Sequence, residues 1–176
     1  MRIISGHLKG RRLPRFKNMG TRPTTDFARE ALFNLIEHKK DIDECIFLDL
    51  FSGTGSISFE FISRGAKEGL CIDMSKNSQI YRKKCIADFG IENLTSIRRD
   101  VFSYLKKTND NYDIIFADPP YQLKEIPLIP ELVYENSLLN QNGLLIVEHP
   151  KEIIFNKHPH FIETRNYSTV HFSFFM

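Results

Sequence analysis

Cys45-Ile46-Phe47-Leu48-Asp49-Leu50-Phe51-Ser52-Gly53-Thr54-Gly55 is the stretch whose reading decides the fold. Cys45 to Phe51 is a short, nearly continuous apolar run, the pattern of a strand buried on both faces, and it ends at two glycines that permit a tight turn. A helical segment from about Ser56 to Arg64 follows. Strand, glycine turn and helix in this order are the opening unit of a parallel sheet, and the sequence downstream repeats the alternation. Gly69 to Ile72 reads as a second strand backed by a helix from Ser75 to about Phe89, Thr95 to Arg98 as a third, and Tyr112 to Ala117 as a fourth that Pro119-Pro120 stops. Leu123 to Leu139 reads as a helix broken or delayed by Pro127 and Pro130, since two prolines do not fit its middle. Leu144 to Val147 follows Gly143 as a fifth strand, and Phe161 to Phe175 holds two more around Asn166. The expected architecture is α/β, a mostly parallel seven-stranded sheet with helices on both faces.

At 176 residues the chain suits one ordinary domain, and its 41% hydrophobic composition with 15 Phe excludes disorder. It contains no apolar run long enough for a bilayer and no secretion-type start, so a soluble, cytoplasmic protein is expected. Charge is distributed unevenly. The formal total is +2, but residues 1–30 carry eight Lys or Arg against Asp26 and Glu30, leaving the remainder mildly acidic. The opening, Arg2 to Pro14, reads as two short extended pieces around a turn, with Lys9, Arg11 and Arg12 as a compact cationic edge suited to a polyanion. A helix from Thr25 or Asp26 to about Lys39 carries an apolar stripe of Phe27, Ala31, Leu32, Leu35 and Ile36, leaving Arg29, Glu30 and Lys39 to solvent or ligand. The chain thus divides into a basic hairpin and helix over 1–40, packed on a core of 41–176. Cys45, Cys71 and Cys85 are too scattered for a disulfide framework or a metal cluster and read as buried thiols. The six histidines form no convincing ligand set, and no metal site is expected.

Three acids follow three strands. Gly53 and Gly55 sit where a ligand can approach the backbone, although Ser58 replaces the last glycine of a full dinucleotide-binding pattern. Asp73 follows the second strand, twenty residues after Gly53, a placement suited to a ribose diol. Asp100 follows the third and can meet an adenine amino group, with the amide of Val101 on a ring nitrogen. Helix capping competes as an explanation for both. The fourth strand ends in Asp118-Pro119-Pro120-Tyr121: a carboxylate acceptor, a backbone carbonyl held by rigid prolines and a flat stacking surface, a set that suits a planar exocyclic amine. Glu148-His149, at the end of the fifth strand, is placed to shape the same pocket.

Asp118-Pro119-Pro120-Tyr121 resembles the catalytic motif of the class I, Rossmann-like, S-adenosylmethionine-dependent amino-methyltransferases. The resemblance narrows to the RsmD-like bacterial 16S ribosomal RNA guanine-N2 methyltransferases through Arg2-Ile3-Ile4-Ser5-Gly6, Lys9-Gly10-Arg11, Arg22-Pro23-Thr24, Arg29-Glu30, Leu32-Phe33 and Arg64-Gly65-Ala66, together with the loop and the acids above. It spans nearly the whole chain. It implies a cofactor loop of Asp49, Phe51, Gly53 and Gly55, with Asp73 at the ribose and Asp100 and Val101 at the adenine. It also implies a flipped guanine at Asp118 to Tyr121, RNA contacts from Lys9, Arg11, Arg12, Arg22 and Arg29, and a small-subunit particle as substrate, without a membrane or an obligate protein partner. Two departures stand out: Asp73 where the family often has Glu, and Tyr167-Ser168 where Tyr-Gly is common. Methylation of adenine N6, or a noncatalytic assembly factor with the same fold, are the alternatives.

Overall fold

The computed structural model describes residues 1–16, 26–167 and 170–176. Among them, seven strands form one sheet: β1 (Ile46–Leu50), β2 (Glu68–Asp73), β3 (Leu94–Arg98), β4 (Tyr112–Ala117), β5 (Leu139–His149), β6 (Phe161–Tyr167) and β7 (Val170–Phe175), in the order β3-β2-β1-β4-β5-β7-β6. The first five run parallel, and β7 and β6 close the edge antiparallel. The buried strands β1 and β4 are the continuous apolar runs of the sequence.

Helices cover both faces. α1 (Asp26–Lys39), α2 (Ser56–Ser63) and α3 (Lys76–Phe89) share a core with Phe47, Cys71, Ile114, Phe116 and Ile146, while α4 (Val101–Leu105) and α5 (Leu128–Glu135) pack with Leu48, Leu50, Ile115 and Leu145 on the other side. Among the described residues no helix is long and apolar enough to cross a membrane. The three cysteines are buried and free.

One expectation is met, one helix is additional and two expectations need refinement. α5 is delayed to Leu128: Pro127 caps it, and Pro130 falls in the first turn, where a missing N–H costs nothing. α4 was not anticipated; Asp100 caps it, accepting from the Ser103 amide at 2.7 Å. The last hairpin does not turn at Asn166, which pairs with His171 inside the ladder; the chain reverses after Tyr167, and Ser168 lies outside the described residues. α1 is turned from its expected orientation: Phe27 is 74% exposed, and Ala28, Arg29, Leu32, Phe33 and Ile36 face inward. Phe33 packs edge-on against Phe61 at 4.8 Å between ring centroids, and the Arg64 guanidinium lies over its ring at 4.7 Å.

The basic opening is bound into this core. Arg2 and Arg12 pair antiparallel, and Ile3, Leu8 and Leu13 join the cluster beneath α1 to α3. The buried carboxylate of Glu60 on α2 accepts the amides of Ile4 and Ser5 at 2.9 and 3.0 Å and the Arg64 guanidinium at 2.9 Å. At the end of α2, Ser63 Oγ receives the Leu8 amide, and the Ser63 carbonyl receives that of His7. Gly6, at φ +77, lies so close that any Cβ would fall on the Ser63 carbonyl.

Candidate active site

The strand order reverses at β1, whose successor β2 lies on one side and β4 on the other. In a parallel sheet the crevice beyond the strand ends at such a point is where ligands bind. Its floor is the loop after β1. Phe51, Gly53 and Gly55 all have positive φ (58, 49 and 78°), an uncommon conformation for a bulky residue such as Phe51. A Cβ on Gly55 would meet Arg82 and Phe59 at 3.1 Å, whereas Gly53 has nothing nearer than 4.0 Å and faces open space.

Two side chains hold the loop. Asp73 accepts the Gly53 amide on one oxygen at 2.9 Å and the Ser75 amide on the other at 2.7 Å. From the opposite side Arg82 of α3, fully buried, donates to the Gly53 carbonyl at 2.6 Å and to Ser96 Oγ at 2.9 Å. Asp49 lies beneath the loop instead of lining the crevice. It is 1% exposed and accepts from Ser58 Oγ at 2.5 Å, a bond that braces the turn from β1 into α2. Burial raises its pKa to about 7 against the opposing pull of Ser58 and Arg82, with Asp118 adding to the rise. Asp100 is exposed with one oxygen used in capping, and Val101, as the first residue of α4, has an amide without an intrahelical acceptor.

Across the switch point, the amide of Asp118 donates to the Leu50 carbonyl at 3.3 Å, tying the end of β4 to the start of the loop. The Pro120 carbonyl accepts from Leu123 at 2.9 Å; among the described residues no donor reaches that of Pro119. Tyr121 is 39% exposed, and its hydroxyl donates to Glu148 Oε1 at 3.0 Å. Glu148 is 5% exposed, and Oε2 has no hydrogen-bond partner among the described residues. Burial first, then the charge of Glu148, hold Asp118 well above the usual carboxylate range; burial brings Glu148 to about 7. Asp49, Asp118 and Glu148 stand on adjacent strands and share a face with Phe47, Phe116 and Ile146, each two residues earlier. His149 turns the other way, onto Ser173 Oγ at 2.7 Å.

The basic residues do not gather at this crevice. Arg11 sits over Phe89 at the last residue of α3, the end of the helix away from Asp73 and Ser75. Lys9 is beside the hairpin turn at Gly6, and Arg12 pairs with Arg2. Arg29 is corrected from a phosphate contact to a structural cation. At 1% exposure it donates to the Arg2 carbonyl at 2.6 Å and to Asp26 at 2.9 Å and lies 3.9 Å from Glu60, because the buried Glu60 carboxylate needs countercharge. Arg22, with Pro23 and Thr24, lies outside the described residues.

Sequence reasoning missed Arg82 as a site residue; it placed Glu148-His149 at the pocket, where the structure sets Glu148 on Tyr121 and turns His149 away. Arg82 is hidden in Arg82-Lys83-Lys84, which reads as a solvated run; its spacing from Ser78 and Cys85 is the signal that it faces inward.

The whole chain, residues 1–176, matches the family described as conserved hypothetical protein 95. It is 38% identical over 148 residues to ribosomal RNA small subunit methyltransferase D of Buchnera aphidicola subsp. Baizongia pistaciae, covering 84% of this chain and 75% of that protein. It is 32% identical over 148 residues to the protein of the same name from Escherichia coli K12, covering 84% and 74%. The solved structure of yhhF from Escherichia coli, named as a candidate methyltransferase, superposes with a TM-score of 0.87 at 28% identity over 99% of this chain and 96% of that one.

Proposed function

The chain belongs to the conserved hypothetical protein 95 family, that of ribosomal RNA small subunit methyltransferase D, and from this premise we propose that it methylates ribosomal RNA using S-adenosylmethionine. The acceptor in this reading is the exocyclic N2 of a guanine in 16S RNA, within an assembled or partly assembled small subunit in the cytoplasm. The observation that carries it is Asp118-Pro119-Pro120-Tyr121 at the end of β4, tied by the Asp118 amide to the glycine loop at the point where the strand order reverses.

The crevice fits the cofactor. Open space faces Gly53, and each Asp73 oxygen, after one backbone bond, keeps a lone pair for a ribose hydroxyl. The second oxygen of Asp100 and the Val101 amide are left for an adenine edge. S-adenosylmethionine, when bound, supplies a sulfonium-activated methyl group that a neutral amine attacks directly. The work of the protein is placement. Asp118 and the Pro119 carbonyl accept the two N2 hydrogens, which turns the nitrogen lone pair toward its target, and the Tyr121 ring stacks on the flipped base. Lys9, Arg11 and Arg12, about a helix length away, hold phosphates that a structured particle offers and a nucleoside does not.

The test is methyl transfer from labelled S-adenosylmethionine to small-subunit particles from methylation-deficient cells, with the product base mapped. Label in guanine N2 supports the reading. Label in adenine N6 replaces the acceptor, and cofactor binding without transfer points to a noncatalytic assembly factor.

A further inference from the structure

We propose that Glu148 is the positioning partner of Asp118 in methyl transfer and, through Asp118, the final holder of the proton that the substrate amine gives up. The inference rests on the amino-methyltransferase reading above. The register Ala117↔Val147 sets Asp118 and Glu148 side by side at the ends of adjacent strands, where the charge of Glu148 adds to burial in raising Asp118. Tyr121 occupies Glu148 Oε1, and Oε2 has no other partner among the described residues. Two adjoining carboxyls in a buried site do not both ionise, so the pair holds one shared proton and one negative charge. The neighbouring groups leave this arrangement in place. Asp49 on β1 lies opposite Phe116, two residues short of Asp118, and is itself drawn toward ionisation by Ser58 and Arg82, while β7 sets Phe172 opposite Glu148 and His171 opposite His149.

The proton balance follows. As N2 attacks, the C–N bond forms and the C–S bond breaks, its electron pair staying on sulfur. The nitrogen then carries one proton too many. That proton passes to the acceptor oxygen of Asp118, and the proton already on Asp118 moves to Glu148 Oε2. The pair becomes neutral as the positive charge of the methyl donor is lost, so the buried site passes from one balanced state to another. A lone carboxylate has no such second station.

Single-turnover transfer to small-subunit particles, measured over about pH 5.5 to 9, tests this. In the wild type the rate should rise with pH through about 7 and level off, because at lower pH both carboxyls are protonated and no oxygen can take the departing proton. Glu148→Gln still accepts from Tyr121 but does not ionise. Its plateau rate should fall on the order of a hundredfold, and the limb should leave the neutral region. Tyr121→Phe keeps the ring but removes the donor that favours the charged form of Glu148, so its limb should move to higher pH. In the cofactor-free protein, carboxyl 13C NMR should show two groups titrating near 7, Asp49 and Glu148, of which only the Asp49 signal remains in Glu148→Gln and only the Glu148 signal is shifted upward in Tyr121→Phe. Should Glu148→Gln not fold, Tyr121→Phe and the NMR titration carry the test. A wild-type rate and pH limb in Glu148→Gln, a slower rate with an unchanged limb, or an unmoved limb in Tyr121→Phe would each overturn the proposal. Asp118→Ala separates the two layers. If it transfers at the wild-type rate, the site reading itself fails; if it is inactive while Glu148→Gln is normal, only the role of Glu148 fails.

Discussion

Replacing Asp49 by Asn should stabilise the protein, and by more as the pH rises. The carboxyl is buried beneath the glycine loop and its pKa is raised from 3.8 to about 7. A raised acid makes the native state hold a proton that the unfolded chain has released. Its contribution is therefore complete below the ordinary value and is lost as the pH climbs to about 7. A gap of about three pH units, at about 1.4 kcal/mol each, amounts to roughly 4 kcal/mol. Asn keeps an oxygen for the Ser58 hydroxyl, now 2.5 Å from Asp49, and is neutral throughout. Urea unfolding of both proteins at a series of pH values should show a gap favouring Asn that widens by about 2 to 3 kcal/mol between pH 5 and 7 and is flat above that. A gap that stays constant across the range, or one that favours Asp as the pH rises, would refute the placement of an ionisable group in a dry site under the loop.

Asp73→Ala should weaken S-adenosylmethionine binding in calorimetry by at least about 1.5 to 3 kcal/mol, since it removes ribose acceptors and frees the Gly53 amide as well; unchanged affinity would exclude the ribose contact. Replacing Lys9, Arg11 and Arg12 together by Gln should lower particle affinity and flatten its salt dependence in filter binding, with S-adenosylmethionine affinity unchanged. Because Arg11 stands at the far end of α3, transfer at saturating particle should proceed at the wild-type rate, and a large loss there would place these cations at the reacting base. Gly6→Ala should detach the opening hairpin from α2, making residues 1–16 cleavable in limited proteolysis; full protection would mean that the hairpin can dock another way.

What the sequence revealed of this fold depended on how local the cause was. The buried strands β1 and β4 are legible because a strand shielded on both faces must be apolar along its length, and the prolines and glycines that end them act within a residue or two. The delayed start of α5 is legible for the same reason. α1 was misplaced by about one residue of rotation because two adjoining stripes compete: Phe27, Ala31 and Leu35 on one, Ala28, Leu32 and Ile36 on the next. The choice between them is made by Glu60 and Phe61, thirty residues downstream, which draw in Arg29 and Phe33. Arg82 escapes the sequence reading on similar grounds, and Glu148, placed at the pocket, shows no role there. Each is a charged residue whose meaning depends on partners from other strands and helices, Gly53 and Ser96 for one, Tyr121 and Asp118 for the other.

The division into a basic opening and a core also reads differently in physical terms. α2 starts from its N-cap Gly55, in the loop that faces the crevice, and ends at Ser63, on which the opening hairpin is seated. Between them Glu60, buried, takes two amides from the hairpin and a guanidinium from Arg64. A carboxylate out of water holds its charge only while such donors surround it, so the hairpin completes the solvation of Glu60. Ile3, Leu8 and Leu13 add apolar area to the same cluster that contains Ile57, Phe59, Phe61 and Ile62 of α2. The segment that carries Lys9, Arg11 and Arg12 is therefore part of what holds α2 in place, and α2 in turn carries the glycine turn at its N-cap. The surface proposed for RNA phosphates and the loop proposed for the cofactor rest on the two ends of a single eight-residue helix.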